Sequence, residues 1–451
     1  MNKRLQIFLL IFVASLGLAQ AQYISVQASD GTFSSAGQTI VRSWTSNYVV
    51  SYYVDASFMP TMDLIDGSSG TIYRAQLPTD VYIRDMYIDK ATDILYFCGA
   101  TTHIYTWGMF NSDGIVGYID LNSFLLSGFG LTMKYAYVNY TGYDYNCINK
   151  LVGYDDGGIS HIVAVGEYRY ISGYYVNGEY FLVDCLDILS GSPIIEVAKF
   201  TPDERYYDVL LTDNFVVFMG FDRDPLVQSL CYRKTDPYNI HDPMFDNIHY
   251  YSPDYDVLSI TYSTVMPEDH VATTYMSKDA VGNFTTRIRV FDIVNDLNVN
   301  SEEYYLNDKT KPDGITYIPA DNSLVVMQQF YATSTLSHNS NFVFIDPFAT
   351  AGYTSAMDFK QNEYFQSLTV HDASYYLAGA GAIWFMRDKT QVLTHSNSLD
   401  CPLEEDIKID IINNIQPGQT NQPVGDIPRV YGTLGPAPFV NVLGSYIDCQ
   451  D

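Results

Sequence analysis

The feature of this sequence that most restricts its fold is a recurring short apolar run that ends in glycine. Clear copies, each preceded by a tight acidic turn, are DILYFCG (93–99), HIVAVG (161–166), FVVFMG (215–220) and YYLAG (375–379). Short runs rich in β-branched and aromatic residues, bounded by Asp, Asn, Gly or Pro, are typical of β-strands. Long amphipathic helical patterns are missing, and the pattern therefore predicts an all-β chain.

A second recurring element is an aspartate that follows an apolar pair, as in LIDGSSG (64–70) and CLDILSG (185–191). An Asp side chain accepts hydrogen bonds from backbone amides further along the chain, and Gly supplies a positive φ, so a hairpin can reverse tightly there. Because the residue recurs in six of the units defined below, we interpret it as a turn former between a third and a fourth strand and not as a catalytic acid. The series comprises Asp66, Asp120, Asp187, Asp292, Asp346 and Asp388.

Together these elements define units of four strands, at a spacing of about 45 to 65 residues that is close to the range of propeller blades. A four-stranded meander cannot bury both of its faces alone, so neighbouring units are expected to stack face to face around an axis. The pattern resembles the β-propeller superfamily over residues 38–396, in architecture only, because no repeat motif of a specific propeller family is present. The predicted unit starts are Gln38, Val81, Tyr145, Arg205, Val257, Pro312 and Tyr364.

We predict seven blades from these starts. Six is the alternative, if the strands from Gln38 onward and those after Tyr364 complete one shared blade.

The two ends of the chain differ from the repeat. Lys3 and Arg4 precede an apolar run over 5–19, and Ala19-Gln20-Ala21 forms a small-x-small cleavage site, so residues 1–21 are predicted to be a signal peptide. The propeller is assigned to 22–396, and the Pro-, Gly- and Asn-rich residues 397–451 to an extension packed on it. A secreted protein, periplasmic or extracellular, without membrane insertion is expected.

The net charge and the cysteines limit the classes of partner, cofactor and cross-link that are expected. The formal net charge of −28, near −30 without the signal peptide, argues against nucleic acid as a partner. The acidic turns allow weak calcium binding, and no cofactor is predicted. All six cysteines follow the signal peptide, and a disulfide between Cys401 and Cys449 is expected because these two bracket the C-terminal segment.

The signatures of nucleophile elbows, zinc peptidases, phosphate-binding loops and dinucleotide folds are absent from the sequence. A loop with two histidines and two aspartates, HDPMFDNIH (241–249), is the densest metal-ligand cluster, but its spacing leaves the metal question open. In a meander, the loops between second and third strands emerge at the end opposite the tight turns. These loops carry aromatic and basic residues suited to recognition of a glycan or protein. The predicted ligand-binding residues are Tyr105, Trp107, Tyr168, Arg169, Tyr170, Tyr174, Arg223 and Tyr331.

Three hypotheses about function follow. The first is an exported β-propeller that binds a glycan or a surface protein without catalysis. The second is a carbohydrate-active hydrolase or lyase with a carboxylate site on the propeller axis. The third is a scaffold subunit of an envelope or extracellular assembly. Lack of any acid–base or nucleophile signature favours the first and third over an enzyme.

Overall fold

A computed structural model gives the structure of the protein, in which the described residues are 24–27, 40–45, 47–54, 59–66, 71–104, 110–127, 131–138, 145–172, 175–199, 204–223, 228–237, 248–251, 256–278, 284–299, 304–308, 310–319, 322–331, 338–348, 355–358, 365–371, 374–379 and 382–386. These residues are mostly β-strand, and their helices are the α-helix α1 (Leu121–Ser127) and a 3-10 turn (Ile188–Ser190). No helix within these ranges has the length and apolarity needed to cross a bilayer.

The first described strand is β1 (Ile24–Gln27). The strands that follow it form antiparallel units in which strands adjacent in sequence are paired. One four-stranded sheet consists of β2 (Ile40–Ser43), β3 (Tyr48–Val54), β4 (Pro60–Asp66) and β5 (Ile72–Gln76). An eight-stranded sheet contains two units, of which the first is β6 (Val81–Asp89), β7 (Ile94–Ile104), β8 (Phe110–Asp120) and β9 (Met133–Val138). The second is β10 (Tyr145–Asp156), β11 (Ile159–Ser172), β12 (Tyr175–Leu186) and β13 (Ile194–Lys199).

The remaining sheets continue the same order. One consists of β14 (Glu204–Leu211), β15 (Val216–Arg223), β16 (Gln228–Thr235) and β17 (Ile248–Tyr251). The next has β18 (Asp256–Met266), β19 (His270–Lys278) and β20 (Phe284–Asp292), with β21 (Leu297–Asn298) and β22 (Tyr304–Asp308) both on β20. A further sheet has β23 (Thr310–Ile318), β24 (Ser323–Tyr331), β25 (His338–Ile345) and β26 (Ser355–Asp358). The last three strands are β27 (Phe365–His371), β28 (Ser374–Gly379) and β29 (Ala382–Met386).

The last unit is completed by a strand from the other end of the chain. β1 pairs antiparallel with β29, so Ile24 lies opposite Met386 and Gln27 opposite Ile383. The strands after Tyr364 therefore share a sheet with β1 and not with β2–β5, which corrects the proposed sharing on which the six-blade alternative depended. The two units from β6 to β13 are joined by a parallel bridge between Tyr145 and Ser112. Whether their sheet counts as one blade or two decides the blade number, which stays a prediction.

The units stack around an axis, as expected for a β-propeller. The first strand of each unit contacts the first strand of the next, in the order β2, β6, β10, β14, β18, β23, β27 and back to β2. Each buried apolar cluster also draws on two neighbouring units. Val209, Phe218 and Cys231, for example, pack with Val163 and Leu182 of the preceding unit. The apolar faces of the sheets are thus buried against each other, which confirms the predicted architecture, and every predicted unit start lies within about two residues of a first strand.

The recurring glycines lie opposite a β-bulge. Gly99, Gly166, Gly220 and Gly379 pair with the last residue before a register shift in the adjoining first strand. A Cβ on Gly99 would lie 1.9 Å from the carbonyl oxygen of Tyr82, and one on Gly220 would lie 2.1 Å from that of Arg205. At these two positions a first-strand carbonyl lies so close to the second strand that only glycine fits there. The bulges in β18 and β23 lie opposite Tyr275 and Gln328, so the glycine is not a feature of every unit.

The interpretation of these glycines as strand ends is wrong for three of the four. β7 continues to Ile104, β11 to Ser172 and β15 to Arg223, well beyond Gly99, Gly166 and Gly220.

Three of the recurring aspartates form turns through their side chains, as the sequence predicts, whereas Asp187 makes no such bond and Asp388 lies outside the described residues. Asp120 accepts a hydrogen bond from the amide of Ser123 at 3.0 Å, and Asp292 accepts one from the amide of Asn295 at 3.0 Å. In the same way, Asp346 accepts from the amide of Phe348 at 3.0 Å. These carboxylates therefore hold the turns that follow the third strands.

Turns at the end of first strands also join neighbouring units. Asp93 adopts a positive φ of 58° in the β6–β7 turn and accepts a hydrogen bond from the indole Nε1 of Trp44 at 2.8 Å. Asp269, with φ 55° in the β18–β19 turn, accepts one from the amide of Asn214 at 2.9 Å. The turns of successive units therefore lie together at one end of the stack.

Several predictions about the two ends of the chain and about the cysteines concern residues that the structure does not describe. The signal peptide 1–21, the extension 397–451 and the pair Cys401 and Cys449 lie outside the described residues, so these stay predictions. The cysteines within the described ranges (Cys98, Cys147, Cys185 and Cys231) are buried thiols and do not form disulfides. Burial raises the pKa of Cys185 to about 12, so this thiol stays protonated and acts as a small packing group.

We expect Gly99→Ala to destabilise the protein by about 1–3 kcal/mol or more, because the new methyl group overlaps the carbonyl of Tyr82 and must displace backbone. Gly314→Ala is the matched control, since its Cβ would meet the flexible end of Met327 at 3.3 Å. Chemical denaturation of the two variants measures the difference. Equal stability of both would contradict the role assigned to the bulge.

Candidate functional site

A cavity of about 440 Å³ lies on the axis, where the first strands meet. Every first strand contributes to its lining, from β2 through β27. The lining residues lie mostly between the bulge and the end of each strand that leads into the tight turns. The charged and phenolic residues of the lining are Arg42, Asp85, Tyr87, Lys150, Asp208 and Tyr262.

The bulges explain why charged residues in otherwise apolar strands face this cavity. The register shifts fall between Ile83 and Asp85, between Ile148 and Lys150, and between Tyr206 and Asp208. A bulge re-aims the side chain that follows it. The same shift in β27 places Ser367 at the cavity, and one in β18 places Tyr262 there.

Several of these side chains tie one first strand to the next. Asp85 Oδ2 accepts a hydrogen bond from the amide of Leu151 on β10 at 3.4 Å. Asp208 Oδ2 accepts one from the amide of Ser263 on β18 at 2.7 Å. Ser367 Oγ accepts one from the amide of Val41 on β2 at 3.1 Å. Adjacent first strands do not share a ladder, so these side chains satisfy amides that face the axis.

Lys150 occupies the equivalent place on β10 but cannot accept a hydrogen bond. The amide of Val209 on the following strand donates instead to Asp208 Oδ1 at 3.0 Å. Asp208 therefore accepts one backbone amide on each oxygen, from Val209 on its own strand β14 and from Ser263 on β18.

Arg42 connects the strands on both sides of β2. Its Nη2 lies 2.6 Å from Asp85 Oδ1, and its Nε donates to the carbonyl of Met86 at 2.7 Å. Its Nη1 donates to the carbonyl of Val41 at 2.9 Å and lies 3.5 Å from Ser367 Oγ. Because this guanidinium reaches both β6 and β27, it reinforces the point where the two ends of the chain close the ring.

Lys150 and Asp208 form the less constrained part of the cluster. The ammonium of Lys150 lies 3.6 Å from Asp85 Oδ1 and 5.2 Å from the ring centroid of Tyr262. Burial raises the pKa of Asp208 to about 6, an effect that the positive charge of Lys150 and the two amide hydrogen bonds oppose and that Asp85 increases. Asp208 therefore changes charge close to neutral pH, inside the cavity.

Of the residues predicted to bind ligand, Tyr168 is the one whose side chain lies within the described part of the structure, so the predicted set as a whole stays a prediction. Tyr168 is 1% exposed, and its ring packs against Phe181 in the core with centroids 6.1 Å apart, so it offers no contact surface. Residues of the set whose backbone lies in the later part of second strands are Arg169, Tyr170, Arg223 and Tyr331. Their side chains, and Tyr105, Trp107 and Tyr174 entirely, lie outside the described residues.

No group of three or more potential metal ligands occurs among the described residues. The candidate cluster at 241–249 falls outside them, except for the backbone of His249 in β17.

Sequence reasoning missed the axial cluster because it did not detect the bulges. A usable signal was present, since each recurring glycine pairs with the residue two before an axial side chain. Gly99, for instance, lies opposite Ile83, which precedes Asp85. A charged residue two positions after the partner of such a glycine, in an otherwise apolar first strand, therefore indicates a side chain that faces the axis.

Comparisons with known proteins give distant structural similarity and no family. No protein-family profile and no curated protein matches the sequence. Among solved structures, the β-propeller domain of Myceliophteria thermophila Cps50 (Swd1) is similar at 10% identity and a TM-score of 0.45, covering 79% of this chain and 98% of that one. A polysaccharide lyase of family PL25, an ulvan lyase, has 8% identity and a TM-score of 0.46, covering 82% and 96%. The β-propeller domain of the trilobed protease from Pyrococcus furiosus has 9% identity and a TM-score of 0.45, covering 80% and 92%.

Asp208 makes stability depend on pH. Its pKa rises from 3.8 in the unfolded chain to about 6 in the folded protein, so the folded protein binds more protons between these values. The contribution to the free energy of unfolding is fully present below about pH 4 and is lost as the pH rises through 6. Relative to Asp208→Asn, the native protein should therefore lose up to about 3 kcal/mol between pH 4 and pH 7.

Denaturant unfolding at both pH values measures this difference. Asp213→Asn, on the exposed turn after β14, controls for the change of net charge. A constant difference between Asp208→Asn and the native protein at both pH values would contradict the assignment.

Proposed function

We propose that this protein is an exported β-propeller that binds a glycan or a surface protein, or serves as a scaffold for one, and that it does not catalyse a reaction. The observation that carries the proposal is that the axial carboxylates are engaged in hydrogen bonds and an ion pair within the protein. Asp85 pairs with Arg42 and an amide, and each oxygen of Asp208 accepts a backbone amide. Acids used in this way hold the ring together, which favours recognition over catalysis.

Recognition is assigned to the last residues of the second strands together with the loops between second and third strands. Aromatic side chains on loops held by a rigid scaffold offer apolar area at low entropic cost. The proposed contact residues are Tyr105, Trp107, Arg169, Tyr170, Tyr174, Arg223 and Tyr331. The buried Tyr168 would support their strand from within the core.

Export is proposed from the basic and apolar segments at the start of the sequence. Cleavage after Ala21 would leave β1, which begins at Ile24, in the mature chain. The strand that completes the last unit would then follow the cleavage site closely. A periplasmic or extracellular location fits this proposal.

Trp107→Ala should weaken capture of the purified mature chain on a glycan array by at least about tenfold, because the loss of one aromatic anchor costs more than about 1.4 kcal/mol. Thermal stability should stay unchanged. Trp44→Phe is the matched control, since it removes the hydrogen bond to Asp93 and should lower stability without weakening capture. Loss of folding in Trp107→Ala, or native capture by that variant, would reject the proposed role.

A carbohydrate-active hydrolase or lyase is the second candidate, and the raised pKa of Asp208 favours it. A buried acid that titrates near neutral pH inside a cavity is typical of catalytic sites. Under this alternative the purified chain should cleave a polysaccharide, and Asp208→Asn should reduce the rate at least about 100-fold. Measurement of new reducing ends tests it. Absence of cleavage across a polysaccharide panel, or an unchanged rate in Asp208→Asn, rejects it.

A further inference from the structure

The carboxylate oxygens of the axial cavity already accept hydrogen bonds. Both oxygens of Asp85 and both oxygens of Asp208 have partners. Two threonine hydroxyl oxygens of the lining are also occupied. Thr264 accepts from the amide of Tyr317 at 3.3 Å, and Thr369 accepts from the amide of Ser43 at 3.3 Å.

Several hydrogen-bond donors of the cavity, in contrast, have no acceptor within the described residues. Lys150 makes no hydrogen bond within 3.5 Å to the described residues, and its nearest carboxylate oxygen lies 3.6 Å away. The hydroxyl protons of Thr264 and Thr369 likewise have no acceptor within the described ranges. An ammonium carries three donors and a hydroxyl carries one, so the lining presents donors to whatever enters it.

The charges of the cluster depend on one proton. Arg42 and Asp85 compensate each other at 2.6 Å, which leaves Lys150 and Asp208. When Asp208 is ionised the cluster is neutral, and when it is protonated the cluster carries one positive charge, centred on Lys150. The raised pKa of Asp208, about 6, makes the protonated form accessible at mildly acidic pH.

We propose that the axial cavity binds a small oxyanion on Lys150 and the threonine hydroxyls, and that Asp208 takes up a proton as it binds. A cavity of about 440 Å³ lies within the usual range for small-molecule sites. A negative ligand satisfies the donors that the protein leaves open, and protonation of Asp208 removes the repulsion that it would meet. This site is separate from the loops assigned to glycan or protein recognition.

The groups that face Asp208 and Lys150 come from every neighbouring first strand. β2 contributes Arg42, β6 contributes Asp85 and Tyr87, and β18 contributes Tyr262. Burial and the charge of Asp89 raise the pKa of the Tyr87 hydroxyl, so it stays neutral. The residues that β23 and β27 contribute to the lining do not titrate: Gly314, Ile315, Thr316, Ser367, Leu368 and Thr369. Behind Asp85, burial raises the pKa of the Cys98 thiol well above its ordinary value, so it stays neutral. Asp208 is therefore the group expected to titrate between pH 5 and 7.5.

Isothermal titration of the full chain with glucuronate and with glucose, which differ only in the carboxylate, tests the proposal at pH 5.5 and 7.5. Glucuronate should bind at least about tenfold more tightly than glucose at pH 5.5, and its affinity should fall about tenfold by pH 7.5. Lys150→Gln should abolish the preference for glucuronate. In Asp208→Asn the affinity should be the same at both pH values.

Lys134→Gln, on the exposed face of β9, is the matched control and should bind as the native protein does. If Lys150→Gln does not fold by circular dichroism, Lys150→Arg keeps the charge and should retain the preference. Inorganic phosphate is the second probe, and binding of phosphate without glucuronate supports an oxyanion site that does not accept a sugar carboxylate. Equal binding of glucose and glucuronate together with no binding of phosphate, or retained preference in Lys150→Gln, overturns the proposal.

The outcome is independent of the proposed glycan or protein recognition. Lys150→Gln should leave array capture unchanged, whereas Trp107→Ala should leave glucuronate binding unchanged. Failure of one function is therefore distinguishable from failure of the other.

Discussion

The close approach of the first-strand backbone to the second-strand backbone determines which side chains face the axis of the propeller. In four units an extra residue of the first strand bulges opposite a glycine of the second strand, and the carbonyl of Tyr82, for example, lies against Gly99. Only a glycine leaves room for that carbonyl. In the β18–β19 and β23–β24 pairs the bulges lie opposite Tyr275 and Gln328 instead. The residue after the bulge then points to the axis, where a polar side chain is useful and an apolar one would leave amides without acceptors.

The ring depends on those side chains as well as on apolar packing. Apolar clusters fill the space between neighbouring sheets but carry no information about which strand follows which. Hydrogen bonds from Leu151 to Asp85 and from Ser263 to Asp208 join specific neighbours. Arg42 adds contacts across the closing point, where β27 and β6 lie on either side of β2. Lys150 departs from the pattern, and this departure leaves an ammonium facing a cavity.

The parts of the fold that depend on local patterns could be predicted from the sequence. Turn-forming residues such as Asp120 and Asp292 and the alternation of short strands placed every unit start correctly, because each unit repeats the same local chemistry. The pairing of β1 with β29 could not be predicted, since it joins residues more than 350 positions apart by backbone contacts. The axial site was missed for a related reason. Asp85, Lys150 and Asp208 are scattered in sequence, and one extra residue in each strand decides where they point.

The most direct test of this account is the hydrogen exchange of single backbone amides. In the native protein the amides of Leu151 and Ser263 should both be protected, because each donates to an aspartate of the neighbouring first strand. In Asp208→Ala the exchange of Ser263 should accelerate at least about tenfold, as expected when a buried amide loses its acceptor, while Leu151 stays protected by Asp85. Unchanged protection of Ser263, or equal loss at both amides, would contradict the claim that bulge-directed side chains tie the ring together.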